Sequence, residues 1–297
     1  MSVRKTGKKS AGEGREALRT DDGPKAARGL YLYCIGEAGA LSKLLEGNLP
    51  ATIEDEGRAE LIERDGLAAV ASAVPLKDYD EAALQAHLAD AAWMALRAMR
   101  HERVVDYFAK RASVVPLRFG VIYLDAAGVE RMLSERGHEL RAAIERLRGR
   151  EEWGVNVYCD RKALMEAISS ISPLLQEMNE QTAQASPGQA YLIRKKMDSM
   201  RGTEARAEVK RAVERVEQEL QKKSEGASRL RLLKDEAGEY GELVGKLAFL
   251  VERERFKEFR QAAERLADES AGSGFRLELT GPWPAYNFVS SQAKNQE

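Results

Sequence analysis

The sequence predicts an α+β protein of two domains, an N-terminal antiparallel sheet with long helices and then a modified ferredoxin-like βαββαβ domain with an extra helical segment. Three observations carry that expectation. A chain of 297 residues has room for two domains, because single domains cluster at about 100 to 150 residues. Stretches with strand period and stretches with helix period succeed one another as β, short α, β, β, α, β, α, and then as β, α, β, β, α, β. An apolar share of 43% beside 32% charged residues describes a globular chain rich in surface helices. The expected boundaries are 1–28 for a disordered basic tail, 29–150 and 151–289 for the domains, and 290–297 for a flexible tail.

In the first 28 residues Lys5, Lys8, Lys9, Arg15, Arg19, Lys25 and Arg28 stand among Gly, Ser and Ala, with Glu13, Glu16, Asp21 and Asp22 interspersed. That mixture fits a solubilising tail better than a lipid- or nucleic-acid-binding arm. The first domain opens with an apolar strand run, Leu30 to Ile35, ended by Gly36 and followed by a short helix near Ala40 to Leu45. Arg58 to Arg64 and Leu67 to Val74 form a hairpin across Asp65-Gly66, a turn pair suited to left-handed backbone. Pro75 closes it.

One long helix is expected from about Glu81 to Lys110, with Leu84, Leu88, Leu96, Met99, Val104, Val105 and Phe108 on its inner stripe. The helices of this domain are expected to pack on one face of a mainly antiparallel sheet. Ser113 to Tyr123, SVVPLRFGVIY, reads as one strand: Val115, Leu117, Phe119, Val121 and Tyr123 face the core, and the other face carries Pro116, Arg118 and Gly120. Asp125 then caps a helix with Val129, Leu133, Leu140, Ile144 and Leu147 on one side, ended by Gly149.

The second domain starts with Glu151 to Asp160, where Trp153, Val155, Val157 and Cys159 alternate with Gly154, Asn156 and Tyr158. Asp160 caps a helix that Pro173 breaks or restarts. Ser186-Pro187-Gly188-Gln189 has the capping-box pattern and begins a helix to about Lys223, with Arg194, Lys195 and Lys196 on its wet side. Strands at Leu230 to Lys234 and Leu243 to Val251, a helix at Arg253 to Ala267 and a strand at Phe275 to Thr280 complete the order, and the chain ends in GPWPAYNFV.

Composition removes several classes of function. With 47 basic and 48 acidic residues no overall field favours nucleic acid or anionic lipid. The longest apolar run, Leu243 to Val251, contains Lys246 and falls far short of the roughly 20 residues a membrane helix needs. The N-terminus lacks an apolar signal region, so a cytoplasmic protein is expected. Cys34 and Cys159 lie in apolar strand patterns and read as buried thiols before a disulfide or a nucleophile.

Nucleotide loops, the GxSxG elbow, CxxC and HExxH are all absent from the sequence. His87 and His101 would sit about 21 Å apart on a helix, too far for one metal, and no cofactor is expected. Arg118 could hold an anionic ligand, a partner's carboxylate or, most simply, an internal acid such as Glu102 or Asp106. Pro116 and Gly120 suit a strand edge open to another chain. Between two prolines Trp283 has little freedom, and with Tyr286 and Phe288 it either seals the two domains together or offers an aromatic anchor.

The segments HERVVDYF, SVVPLRFGVIY, EEWGVNVYCD, GQAYLIRKKMD, LVGKLAFLVERERFKEF and FRLELTGPWPAYNFV together resemble the gas vesicle protein F and L family, from Leu30 to Val289. Asn156 replaces the lysine more usual there. The resemblance implies two α+β domains, the second a modified ferredoxin fold, in a non-enzymatic accessory protein of gas vesicle formation. The implied partner is the small apolar major shell protein, with other accessory proteins beside it, and the implied place is the gas vesicle. Such a protein needs a strand edge and aromatic anchors, and Pro116, Arg118, Gly120, Trp283, Tyr286 and Phe288 are its candidate contacts. The competing expectation is a small-ligand-binding or enzymatic α+β protein with a cleft near Arg118 and His101.

Overall fold

The computed structural model describes residues 27–290 apart from 56, 88, 233–236 and 239, so the expected tails lie almost wholly outside the described residues. The first half contains β1 (Arg28–Glu37), α1 (Ala38–Leu45), β2 (Ala59–Arg64), β3 (Leu67–Pro75), α2 (Leu76–Tyr79), α3 (Glu81–His87) and α4 (Ala91–Ala109). It continues with β4 (Val114–Pro116), β5 (Ile122–Tyr123), α5 (Ala126–Glu135) and α6 (Gly137–Leu147). Its sheet has the order β2-β3-β1-β4, with β5 also on β1, and every pairing is antiparallel. Asp65 and Gly66 take φ of 51° and 78°, the left-handed pair that lets β2 turn tightly into β3.

The expected placement of helices on one face is corrected. Tyr31 and Tyr33 of β1 join Val104, Val105 and Phe108 of α4 in one apolar cluster, whereas Leu32 and Ile35 join Val129, Leu133, Leu140 and Ile144 of α5 and α6 in another. β1 and β3 are apolar on both sides, so both sides must be covered. The core strand is β1.

Three expected elements are shorter than the periodicity suggested. The helix from Glu81 to Lys110 breaks before α4, where Asp90 accepts from the amides of Ala92 and Trp93 at 3.1 and 3.0 Å and so starts a new helix. The helix after Asp125 is interrupted at Arg136. The strand from Ser113 to Tyr123 survives only as β4 and β5, because Pro116 has no amide hydrogen and Gly120 turns to a φ of 89°. The chain still follows β1 across the gap, since Leu117 N donates to Tyr33 O and Leu32 N donates to Val121 O, both at 2.9 Å.

The second half contains β6 (Arg150–Cys159), α7 (Arg161–Ile171), α8 (Pro173–Gln184), α9 (Pro187–Gln221), β7 (Gly226–Arg229), β8 (Ala237–Gly238), β9 (Gly241–Glu252), α10 (Phe256–Ala271) and β10 (Phe275–Trp283). The order β10-β6-β9-β7 makes four antiparallel strands in the split βαβ arrangement. α7, α8 and the 35-residue α9 form the enlarged first crossover. Ser186 and Gln189 complete the capping box at the start of α9. The strand expected at Leu230 to Lys234 lies instead at β7, and residues 233–236 fall outside the described ones. Val155, Val157, Phe249, Phe259, Leu266 and Val213 form the core under these helices. A side chain at Gly245 would put its Cβ 2.9 Å from Val213, so the bare backbone is what lets β9 approach α9. No helix among the described residues is long and apolar enough to cross a membrane.

Candidate interaction site at the C-terminal return

β10 loses its register with β6 between Thr280 and Trp283, at Gly281 (φ 120°) and a cis Gly281-Pro282 bond. Beyond Pro284 a short 3-10 turn, Tyr286–Phe288, carries the chain back toward the first sheet. Three consecutive residues anchor it. Tyr286 Oη donates to Glu102 Oε1 at 2.9 Å, reaching α4. Asn287 donates its amide N and Nδ2 to the two oxygens of Glu152 on β6, at 3.1 and 2.5 Å. Phe288 is buried against Leu147, Ala248 and Leu250, and Arg146 Nη1 donates to the carbonyls of Phe288 and Val289, each at 3.1 Å.

Two carboxylates therefore hold the return segment, and neither has a cationic partner among the described residues. Burial pushes the Glu152 carboxyl up to about 7, and the two bonds from Asn287 offset only part of that rise. Glu102 is also raised by burial, against the lowering effect of the Tyr286 hydroxyl. Burial, together with the neighbouring Glu102, raises the Tyr286 phenol.

Behind Tyr286 lies His101, which is 1% exposed. Its Nε2 is 3.0 Å from the Leu117 carbonyl, which can only accept, so Nε2 carries the hydrogen and Nδ1 accepts from Tyr31 Oη at 2.9 Å. Tyr31 Oη in turn accepts from Gly120 N at 3.1 Å, and Tyr286 Oη stands 3.3 Å from His101 Nε2. Burial pushes His101 down to about 4. The ring is a neutral structural link at pH 7, with both nitrogens engaged.

This network joins Gly120 and Tyr286, which the sequence could not connect, but it leaves Pro116 and Arg118 outside. Pro116 is buried opposite Cys34 at the sheet's edge. Arg118 is exposed and makes no hydrogen bond or ion pair with any described residue. Its expected internal partners are taken: Asp106 pairs with Lys110 at 2.8 Å and Glu102 receives Tyr286. The Arg118 side chain is exposed although Leu117 and Phe119 on either side of it both meet His101 of α4. A cleft uniting Arg118 with His101 is likewise not formed, since one side chain faces solvent and the other is enclosed.

Trp283 differs from its two aromatic neighbours. It is 54% exposed, and its Nε1 donates to Thr280 Oγ1 at 3.1 Å, which fixes the ring with one face in solvent. Between Trp283 and α4 runs a groove of about 680 Å³ whose walls include Met99, Glu102, Asp106, Pro282, Pro284 and Glu152. Met99 is 44% exposed and Leu96 40%, so the inward stripe expected for α4 excludes them. A stripe running from Leu96 and Met99 to Phe108 was wider than one buried face can hold, and that excess width was the available signal. Glu152 and Asn287 gave no signal, because each stands alone in a pattern of other kind. Cys34 and Cys159 are buried free thiols, as expected.

Residues 29–290 match the family described as gas vesicle synthesis protein GvpL/GvpF. The chain is 32% identical over 254 residues to gas vesicle protein L of Streptomyces sp. (strain CB03234), covering 84% of this chain and 91% of that protein. It is 23% identical over 277 residues to gas vesicle protein L1 of Halobacterium salinarum, covering 90% and 92%. Among solved structures, gas vesicle protein GvpF from Anabaena sp. PCC7120 superposes with a TM-score of 0.61 at 18% identity, covering 91% of this chain and 99% of that one. GvpF from Microcystis aeruginosa gives 0.55 at 18% identity, covering 88% and 99%. The structural likeness concerns the fold.

Proposed function

Because the chain belongs to the gas vesicle synthesis protein GvpL/GvpF family, we propose that it is a non-enzymatic accessory protein of gas vesicle formation that binds the small hydrophobic shell protein. In this role it is a minor structural component or an assembly chaperone, and it works in the cytoplasm at the vesicle, beside other accessory proteins. A subunit with exposed apolar strands must be kept from self-association before it is inserted. The observation that carries the reading is Trp283, a half-exposed ring fixed between two prolines at the mouth of a groove that Met99 also lines. Rigid aromatic side chains lose little entropy on binding, and they dominate interface energetics.

On this reading Trp283 is the anchor, while Tyr286 and Phe288 position it by tying the return segment to α4, α6 and the second sheet. Arg118 supplies a cationic contact from the loop that Pro116 and Gly120 shape. The chain divides at residue 150 into two domains, each built on its own sheet and apolar clusters. The buried, fully engaged His101 favours this reading over a catalytic one. Co-expression of the full chain with the shell protein of its own gene neighbourhood tests it. Co-purification that survives moderate salt is expected, and failure to associate at any ratio would sink the proposal.

A further inference from the structure

At the far end of α9 lies a second surface, remote in character from the groove. α8 and α9 fold back on each other, and the first turns of α9 run along α8, with Ala190, Ile193 and Met197 turned inward. The opposite side of these turns carries Tyr191 and Leu192, each 64% exposed. Helical geometry puts Arg194 and Lys195 three and four residues beyond Tyr191, and Lys195 and Lys196 three and four beyond Leu192. In this patch Lys195 lies between Tyr191 and Leu192 within about 100° of arc, with Arg194 on one flank and Lys196 on the other, over about 8 Å of helix.

The three cations of this patch form no hydrogen bond or ion pair with a described residue. Elsewhere on the same helix each cation has a partner: Lys210 pairs with Glu214, Arg211 and Arg215 pair with Glu208, Arg201 donates to the Met165 carbonyl and Arg206 to Thr203 Oγ1. Among the described residues of α9, cations without any polar partner occur only where two large apolar side chains also face water. Single exposed apolar residues need no account, but an adjacent pair ringed by unpaired like charges is an electrostatically labelled contact surface.

We propose that the tip of the α8–α9 hairpin is a docking site for an acidic amphipathic helix of a protein partner, apolar residues seated on Tyr191 and Leu192 and carboxylates on Arg194, Lys195 and Lys196. Charge complementarity selects the occupant. A bilayer is disfavoured, because two apolar side chains followed by Asp198 offer too small a face for interfacial insertion. Nucleic acid is disfavoured because Leu192 has nothing to contribute to a phosphate backbone. The inference does not depend on the shell-protein reading, since it concerns different residues and a different partner chemistry.

The test uses the full chain and a labelled synthetic helical peptide with leucine on one face and glutamate on the other, read by fluorescence anisotropy. Lys195→Glu with Lys196→Glu is expected to weaken binding by about tenfold or more, as is Tyr191→Gln with Leu192→Gln. Rising salt should weaken it as well. A peptide with lysine in place of glutamate should not bind. All four residues are exposed, so unchanged helical circular dichroism and melting confirm that both variants fold. The proposal is overturned if both double variants bind the acidic peptide as the wild type does, or if the lysine peptide binds equally well. Capture by phosphatidylglycerol vesicles or duplex DNA, without capture by the acidic peptide, also overturns it.

Discussion

The two sheets bury themselves in different ways, and the difference decides where the molecule can recognise a partner. In the first sheet, alternate residues of β1 enter two separate cores, so helices close both faces. In the second, Val155, Val157 and Cys159 of β6 face the helices, while Asn156 and Tyr158 face away and donate to Glu278. That far face has one apolar end, where Ala248 and Leu250 meet Leu147 and Phe288. The return segment covers this end. Trp283 is left at the margin of the cover, fixed on one side and wet on the other.

The contrast can be broken by removing core from either face of the first sheet. Phe108→Ala should cost about 3 to 5 kcal/mol and Leu133→Ala about 2 to 5 kcal/mol in denaturant unfolding, because both side chains are wholly buried on opposite sides. A loss below about 1 kcal/mol for Leu133→Ala would mean that α5 and α6 do not close the second face. Phe288→Ala, at the covered end of the second sheet, should cost about 3 kcal/mol. It should also increase hydrogen exchange at Tyr286 and Asn287, which a purely local cavity would leave unchanged.

Glu152 sharpens the comparison through pH. Its carboxyl stands at about 7 in the folded chain, above the ordinary carboxylate value of about 4.5, so this group contributes stability that is full below about 4.5 and is lost as pH rises through 7. The loss amounts to about 3 kcal/mol by pH 8. Glu152→Gln should abolish that slope and raise the melting temperature at pH 8. With its amide turned over, Asn287 can accept from the new Nε2, and the Asn287 N–H still has an oxygen to donate to. An unchanged slope in the variant would remove Glu152 from this role. The smallest effect is expected on the polar part of the far face, where Asn156→Ala loses one hydrogen bond to Glu278 and should cost about 1 kcal/mol or less.

What the sequence revealed depended on how each element is buried. A strand covered on one face alternates, which is why β6 and β10 could be placed from pattern, while β9 was placed as a short continuous apolar run, and the split βαβ order was read from them. β1 and β3 are apolar on both sides, a pattern that does not say how many layers cover it, and the three-layer packing stayed hidden. Strong local chemistry also read through, as at Asp65-Gly66 and the Ser186 capping box. Asp90 carried a capping signal too, but the long apolar stripe masked it. At the site, GPWPAYNFV was legible as a rigid aromatic segment. Its partners Glu102 and Glu152 were not, because residues 184 and 135 positions away have no pattern in common with it.

The central claim is that Trp283 recognises a partner while its neighbours hold the fold. The direct test measures shell-protein binding and unfolding free energy side by side for Trp283→Ala and the wild type. The account predicts that binding falls by about tenfold or more while stability changes by less than about 1 kcal/mol, since the ring is half exposed and makes one hydrogen bond to Thr280. Full binding retained by Trp283→Ala, or a loss of binding that only follows a loss of folding, would contradict it.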